Sequence, residues 1–72
     1  MNQAVILFHS TNHAIWADRE LDRENIVHKI APVPRHLSSD CGYCIKLSED
    51  DAERAVALLA SRGIECSVHY LV

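Results

Sequence analysis

Residues 43–72 read YCIKLSEDDAERAVALLASRGIECSVHYLV, and this stretch decides the fold. Its middle predicts a helix, because Ser48 can cap the start, acidic residues crowd the first turn, and Gly63 follows the last turn. Apolar residues recur along it at helical spacing and predict a buried stripe. The members of this stripe are Ala52, Ala55, Val56 and Leu59.

A strand is predicted on each side of this helix. Residues 43–48 alternate, which places Cys44 and Lys46 on the face opposite Ile45. In residues 64–72 the apolar positions also alternate, and Cys66 falls among them. We expect Cys66 to be a small buried hydrophobe.

The first half of the chain shows the same order. Residues 4–8 are apolar throughout, which is typical of a central strand covered on both faces. Ser10 or Thr11 can cap the helix that follows, in which small and apolar residues recur at helical spacing. Residues 26–33, IVHKIAPV, predict a second strand that ends at Pro32, since proline cannot donate to a ladder.

Several polar side chains in these elements are expected to face water. On the first helix they are Asp18, Glu20 and Asp22, and on the strands they are His28 and His69.

The resulting order is β-α-β-β-α-β within a single domain, residues 1–72. Its simplest packing is the α+β, ferredoxin-like sandwich, in which a four-stranded antiparallel sheet carries both helices on one face. Right-handed crossovers give the strand order 4-1-3-2.

Composition excludes several classes of function. The formal charge of −3 and the scattered cations do not form the basic face that a nucleic-acid-binding protein needs. No apolar run is long enough to span a membrane, and the first residues do not resemble a signal peptide, so we expect a cytoplasmic protein. We expect no cofactor.

The connection between the second and third predicted strands contains an unusual number of potentially reactive and polar side chains. Residues 32–44, PVPRHLSSDCGYC, hold both prolines and two of the three cysteines. In the predicted topology this connection and the start of the first helix lie at the same edge of the sheet. The helix start carries partial positive charge and lowers the pKa of a nearby thiol from about 8.5. Arg35 could add positive charge to Cys41, and His13 or His36 could accept a proton. Gly42 permits a positive φ.

These motifs resemble a known family. The segments ILFHSTNHAIWAD (6–18), PVPRHLSSDCG (32–42), SEDDAERAVALL (48–59) and RGIE (62–65) together are similar to the selenium/sulfur carrier-like family of small bacterial domains. The resemblance implies that Cys41 is the carrier thiol and holds the chalcogen as a persulfide or selenopersulfide. It also implies protein partners that donate and accept this cargo. The positions that match the motif around the thiol are Ser10, Thr11, His13, Pro34, Arg35, Ser38, Ser39 and Gly42.

Three alternatives stay open. Cys41 and Cys44 could form a redox dithiol, or Cys44 could resolve a persulfide on Cys41. Zinc could bind Cys41, Cys44, His36 and His9, although only one close-spaced cysteine pair exists. The domain could instead be an interaction module, forming a homodimer or binding a partner through the sheet face that carries no helix. That face is expected to display Cys44, Lys46, Ser67, His69 and Leu71. Whether the protein is an enzyme is open, and a carrier protein is favoured over an enzyme that turns over a substrate.

Overall fold

The computed structural model describes residues 2–33 and 42–71, and its elements follow the predicted order. They are β1 (Gln3–Phe8), α1 (Thr11–Arg23), β2 (Lys29–Pro32), β3 (Tyr43–Ser48), α2 (Glu49–Ser61) and β4 (Cys66–Leu71). All strand pairs are antiparallel, and the sheet order is β2-β3-β1-β4. This is the predicted order 4-1-3-2 read from the opposite edge, so the α+β, ferredoxin-like fold is confirmed.

The main hydrophobic core lies between the sheet and the two helices. Alternate residues of β1 and β3 point into it, and both helices contribute the stripes that periodicity predicted. Its buried members are Ala4, Ile6, Phe8, Ala14, Ala17, Leu21, Ile26, Ile45, Leu47, Ala52, Ala55, Leu59 and Ile64. Cys66 was expected to be a small buried hydrophobe. It packs against this core but is half-buried.

The end of α1 explains why β2 is shorter than predicted. Asn25 adopts a left-handed φ of 57°, and the Ile26 N–H donates to the Leu21 carbonyl at 3.0 Å. This is a Schellman motif, in which the residue after the left-handed position packs back onto the helix. Ile26 is therefore buried in the core rather than paired in a ladder, and β2 begins at Lys29 instead of residue 26.

The end of α2 follows the same pattern, this time with glycine. Gly63 has a φ of 80°, and the Ile64 N–H donates to the Leu59 carbonyl at 2.9 Å. Ile64 and Leu59 are both buried in the main core. The predicted stop at Gly63 is confirmed.

Two side chains that were expected to face water are instead buried. The His28 side chain is 5% exposed, and its Nε2 lies 2.6 Å from Asp18 Oδ1. The carboxylate of Glu20, 8% exposed, lies 3.3 Å from Arg23 and 3.6 Å from Arg62. Both predictions were wrong for the same reason. In each case the ion-pair partner comes from another element or another helical turn, and the local spacing of apolar residues does not show such a contact.

The sheet face that carries no helix, called here the helix-free face, also differs from expectation. Val5, Leu7 and Cys44 form a second buried cluster there, with Ala31 and Val33 packed against it. The expectation that this face displays Cys44 is therefore wrong, since Cys44 has no exposed surface. The chain covers these apolar side chains itself, so no dimer or partner is needed to shield them.

Candidate functional site at the upper edge of the sheet

Three elements meet at one edge of the sheet, called here the upper edge, where β1 ends and β3 and β4 begin. The register pairs Leu7 with Cys44 and Phe8 with Cys66. Since α1 starts at Thr11, directly after β1, the helix start lies at this edge too. Gly42, immediately before β3, is the described residue nearest in sequence to Cys41.

Ser10 caps α1, which settles the choice between Ser10 and Thr11. Its backbone is extended, and its Oγ accepts a hydrogen bond from the His13 N–H at 3.3 Å. The same Oγ lies 2.6 Å from His13 Nδ1, so the Ser10 hydroxyl and the His13 ring also share a hydrogen bond. The first turn of α1 contains no acidic residue, so no side chain of that turn offsets its partial positive charge.

His13 is half-buried beside this cap. Its ring centroid lies 6.5 Å from that of Trp16, which is 44% exposed. Because the bond to Ser10 occupies Nδ1, the Nε2 atom is the part of the ring that remains for any proton transfer.

Gly42 supports the predicted turn into β3. Its φ is 76°, in the left-handed region that favours glycine, and an added Cβ would meet no atom within 4 Å. Its carbonyl accepts a hydrogen bond from the Val33 N–H at 3.1 Å. The two ends of the connection therefore lie side by side. Arg35, Ser38, Ser39 and Cys41, together with Pro34 and His36, lie outside the described residues, and their roles stay predictions.

Cys44 lies beneath the residues that flank this connection. Its Sγ is 3.7 Å from the Pro32 carbonyl oxygen, which can accept from the thiol. The side chain is fully buried. A resolving role for Cys44 requires that this side chain become accessible, because thiol exchange needs contact between the sulfur atoms.

Sequence reasoning missed an open cleft of about 710 Å³ at the same edge, between the end of β1 and the turn from α2 to β4. Cys66 lines it, and burial raises the pKa of the Cys66 thiol above its ordinary value. At the rim His9 Nε2 lies 3.1 Å from Glu65 Oε2. Only the pairing of β1 with β4 brings these residues together, and no local motif marks them.

The zinc alternative rests partly on residues that the structure does not describe. Over residues 2–33 and 42–71, no three side chains of the ligating types lie close enough together to hold a metal ion. Two of the proposed ligands, Cys41 and His36, are outside those ranges, so this alternative stays a prediction.

The described residues form a small α+β domain in which Gly42, next to the cysteine-bearing connection in sequence, and the capped start of α1 lie at the same edge of the sheet. The family described as "Putative Se/S carrier protein-like" matches residues 3–70, nearly the whole chain. The chain belongs to this family, which confirms the resemblance seen in its motifs. No curated protein and no solved structure matches it. Neither described helix combines the length and apolar character needed to cross a membrane.

Proposed function

We propose that this protein carries sulfur or selenium on Cys41, as a persulfide or a selenopersulfide. The observation that carries the proposal is the family match, because it spans residues 3–70 and so includes the cysteine-bearing motif. The geometry of the upper edge adds a physical reason. The flanking Gly42 and the start of α1 share that edge, and helix starts stabilise thiolates.

The transfer step is a thiol exchange. The Cys41 thiolate attacks the outer sulfur of a donor persulfide, a new S–S bond forms on Cys41, and the donor's S–S bond breaks. The donor leaves as a thiolate, so no external oxidant or reductant is consumed. Delivery is the reverse reaction, in which an acceptor nucleophile takes the outer sulfur and Cys41 returns to its thiolate. A selenopersulfide donor would react in the same way.

Each neighbouring residue has a distinct task in this proposal. Arg35 adds positive charge that favours the anionic sulfur, and Ser38 and Ser39 shape the loop. Ser10 holds the helix start in place through its cap. Before the attack, His13 accepts at Nε2 the proton that the Cys41 thiol loses on becoming a thiolate, since its Nδ1 is bonded to Ser10.

The test is uptake of sulfur measured by intact mass. Reduced protein is incubated with glutathione persulfide, and the adduct is located by fragmenting the tryptic peptide of residues 36–46, which contains Cys41 and Cys44. We expect one added sulfur on Cys41 in the native protein and none in Cys41→Ser. Cys66→Ser is the matched control, because it removes a thiol that lies on β4 and outside this loop. It should load like the native protein.

Two results would overturn the proposal. The first is a native protein that takes up no sulfur or selenium from persulfide donors. The second is a Cys41→Ser variant that loads as well as the native protein. Loading on Cys41 that disappears in Cys44→Ala would instead favour the dithiol alternative, since a single-thiol carrier does not need Cys44.

A further inference from the structure

The helix-free face carries an arrangement of charge that the carrier function does not use. The chain has only two lysines, Lys29 and Lys46, and the register of β2 and β3 pairs them directly opposite each other. Both lie on this face, because it also holds their alternating neighbours Ala31 and Cys44. The next strands extend the row, since Val5 pairs with Lys46 on one side and with His69 on the other.

Acidic residues are missing from this face as far as the structure describes it. The described carboxylates all lie on the helices, at their ends, or just before β4. They are Asp18, Glu20, Asp22, Glu24, Glu49, Asp50, Asp51, Glu53 and Glu65. The protein is acidic overall, with a formal charge of −3, yet the described residues of this face carry two lysines and no carboxylate.

The two lysines also differ from several other basic side chains in the described structure. Arg23 and Arg62 lie against Glu20, and the histidines at positions 9 and 28 lie against carboxylates. Within residues 2–33 and 42–71, neither lysine lies within ion-pair distance of a carboxylate. Side chains directly opposite on paired strands are about 5 Å apart at Cβ, and like charges there destabilise the sheet.

Protection against edge-to-edge aggregation explains only one of them. Lys29 lies on the edge strand β2, where a lysine discourages pairing with another chain. Lys46 lies on β3, between β2 and β1, and protects no edge. An anionic group placed over the pair would relieve the repulsion between the two lysines.

We propose that the helix-free face docks an acidic surface of a partner protein, with Lys29 and Lys46 as its charged centre and His69 at its side. A second copy docked face to face would bring the two lysine pairs together and is disfavoured by charge. Nucleic acid is disfavoured by the acidic total charge.

The size of the face limits the strength of this contact. Four strands of up to six residues cover roughly 15 by 20 Å, well below the roughly 800 Å² per partner of a standard interface. Its apolar residues Val5 and Leu7 are already buried within the chain. The docking is therefore weak, electrostatic and sensitive to salt, as in transient encounters. It does not depend on chemistry at Cys41.

The test is a titration of the isotope-labelled full chain with a hexaglutamate peptide, followed by amide chemical shifts. Hexaglutamine and inorganic phosphate are the neutral and small-anion comparisons. We expect the largest shifts at Lys29, Lys46 and His69, with little change from hexaglutamine. Lys29→Gln and Lys46→Gln should each weaken binding by about two- to fivefold, the range of exposed ion pairs. Arg19→Gln removes the same charge from an exposed position on α1 and should change the affinity for hexaglutamate by less than about 1.5-fold.

Four results would overturn the inference. Arg19→Gln could weaken binding as much as Lys46→Gln, which would show a response to total charge alone. The shifts could centre on the start of α1. Inorganic phosphate could bind the lysines as tightly as the peptide, which would indicate a small-anion site. Sedimentation could show self-association that Lys46→Gln abolishes, which would make a second copy the occupant.

Discussion

The cap of α1 gives the sharpest prediction, because the chain offers a matched control at the other helix. Ser10 Oγ accepts from the His13 N–H at 3.3 Å and lies 2.6 Å from the His13 ring. Ser48 holds the same position before α2, but its side chain makes no hydrogen bond to a backbone N–H. Its hydroxyl donates only to the Asp51 carboxylate, at 3.3 Å.

Replacing Ser10 by alanine removes both bonds. The backbone cap contributes about 1 kcal/mol to the free energy of unfolding. The ring bond, at a half-buried site, adds about 0.5 kcal/mol. The sum of about 1.5 kcal/mol corresponds to a fall in Tm of roughly 6–12 °C for a domain of this size. Ser48→Ala should cost less than about 0.5 kcal/mol, as for an ordinary surface substitution.

Urea unfolding at pH 7, followed by far-UV circular dichroism, measures both losses, with a thermal melt as a second readout. Ser10→Asp supplies another capping oxygen and should keep most of the native stability. The reasoning is refuted if Ser48→Ala loses as much stability as Ser10→Ala, or if Ser10→Ala unfolds at the native urea midpoint.

Two further predictions concern the core and the cleft. Ile26→Ala should cost about 3 kcal/mol, since Ile26 is buried in the main core. Val27→Ala should cost less than about 0.5 kcal/mol, since Val27 is 82% exposed, and equal losses in urea unfolding would contradict the position at which β2 begins. Burial raises the pKa of the Cys66 thiol above 9.0, so the folded state favours the protonated form. This stabilisation is complete below pH 9.0 and is lost as the pH rises through the folded-state pKa. As the pH rises above about 9, the free energy of unfolding should therefore fall less steeply in Cys66→Ala than in the native protein, and parallel curves would refute this.

Much of the fold could be predicted because its signals are local. Helical spacing of Ala52, Ala55 and Leu59 predicted a buried stripe, and those residues are buried. The glycine stop at Gly63 was also predicted correctly. At the end of α1, Asn25 occupies the same left-handed position. It is harder to recognise in a sequence, because this position is usually glycine and only sometimes asparagine. The start of β2 was misplaced for that reason.

Burial on the helix-free face could not be predicted from alternation. Cys44 and Lys46 lie on the same side of the same strand, yet Cys44 is fully buried and Lys46 is partly exposed. Alternation assigns each side chain to a face but does not say what covers it. The burial of Glu20 has a similar origin, since one of its partners, Arg62, comes from the end of the other helix.

At the candidate site, too, local sequence signals predicted one part and contacts between distant residues decided the other. The motif around Cys41 pointed to the family that the match over residues 3–70 confirms, and the sequence alone was sufficient for this because the motif is contiguous. Its surroundings depend on which strands become neighbours. The pairing of β1 with β3 brings Gly42 to the edge where α1 starts, and the pairing of β1 with β4 builds the cleft beside Cys66. The order of residues along the chain thus determined the elements and their period, since these follow from short-range sterics and hydrogen bonding. It also carried the family, because the motifs are stretches of sequence. Only the tertiary structure decided which charges are paired, which thiols are buried, and that both lysines face each other, because these depend on contacts between residues far apart in sequence.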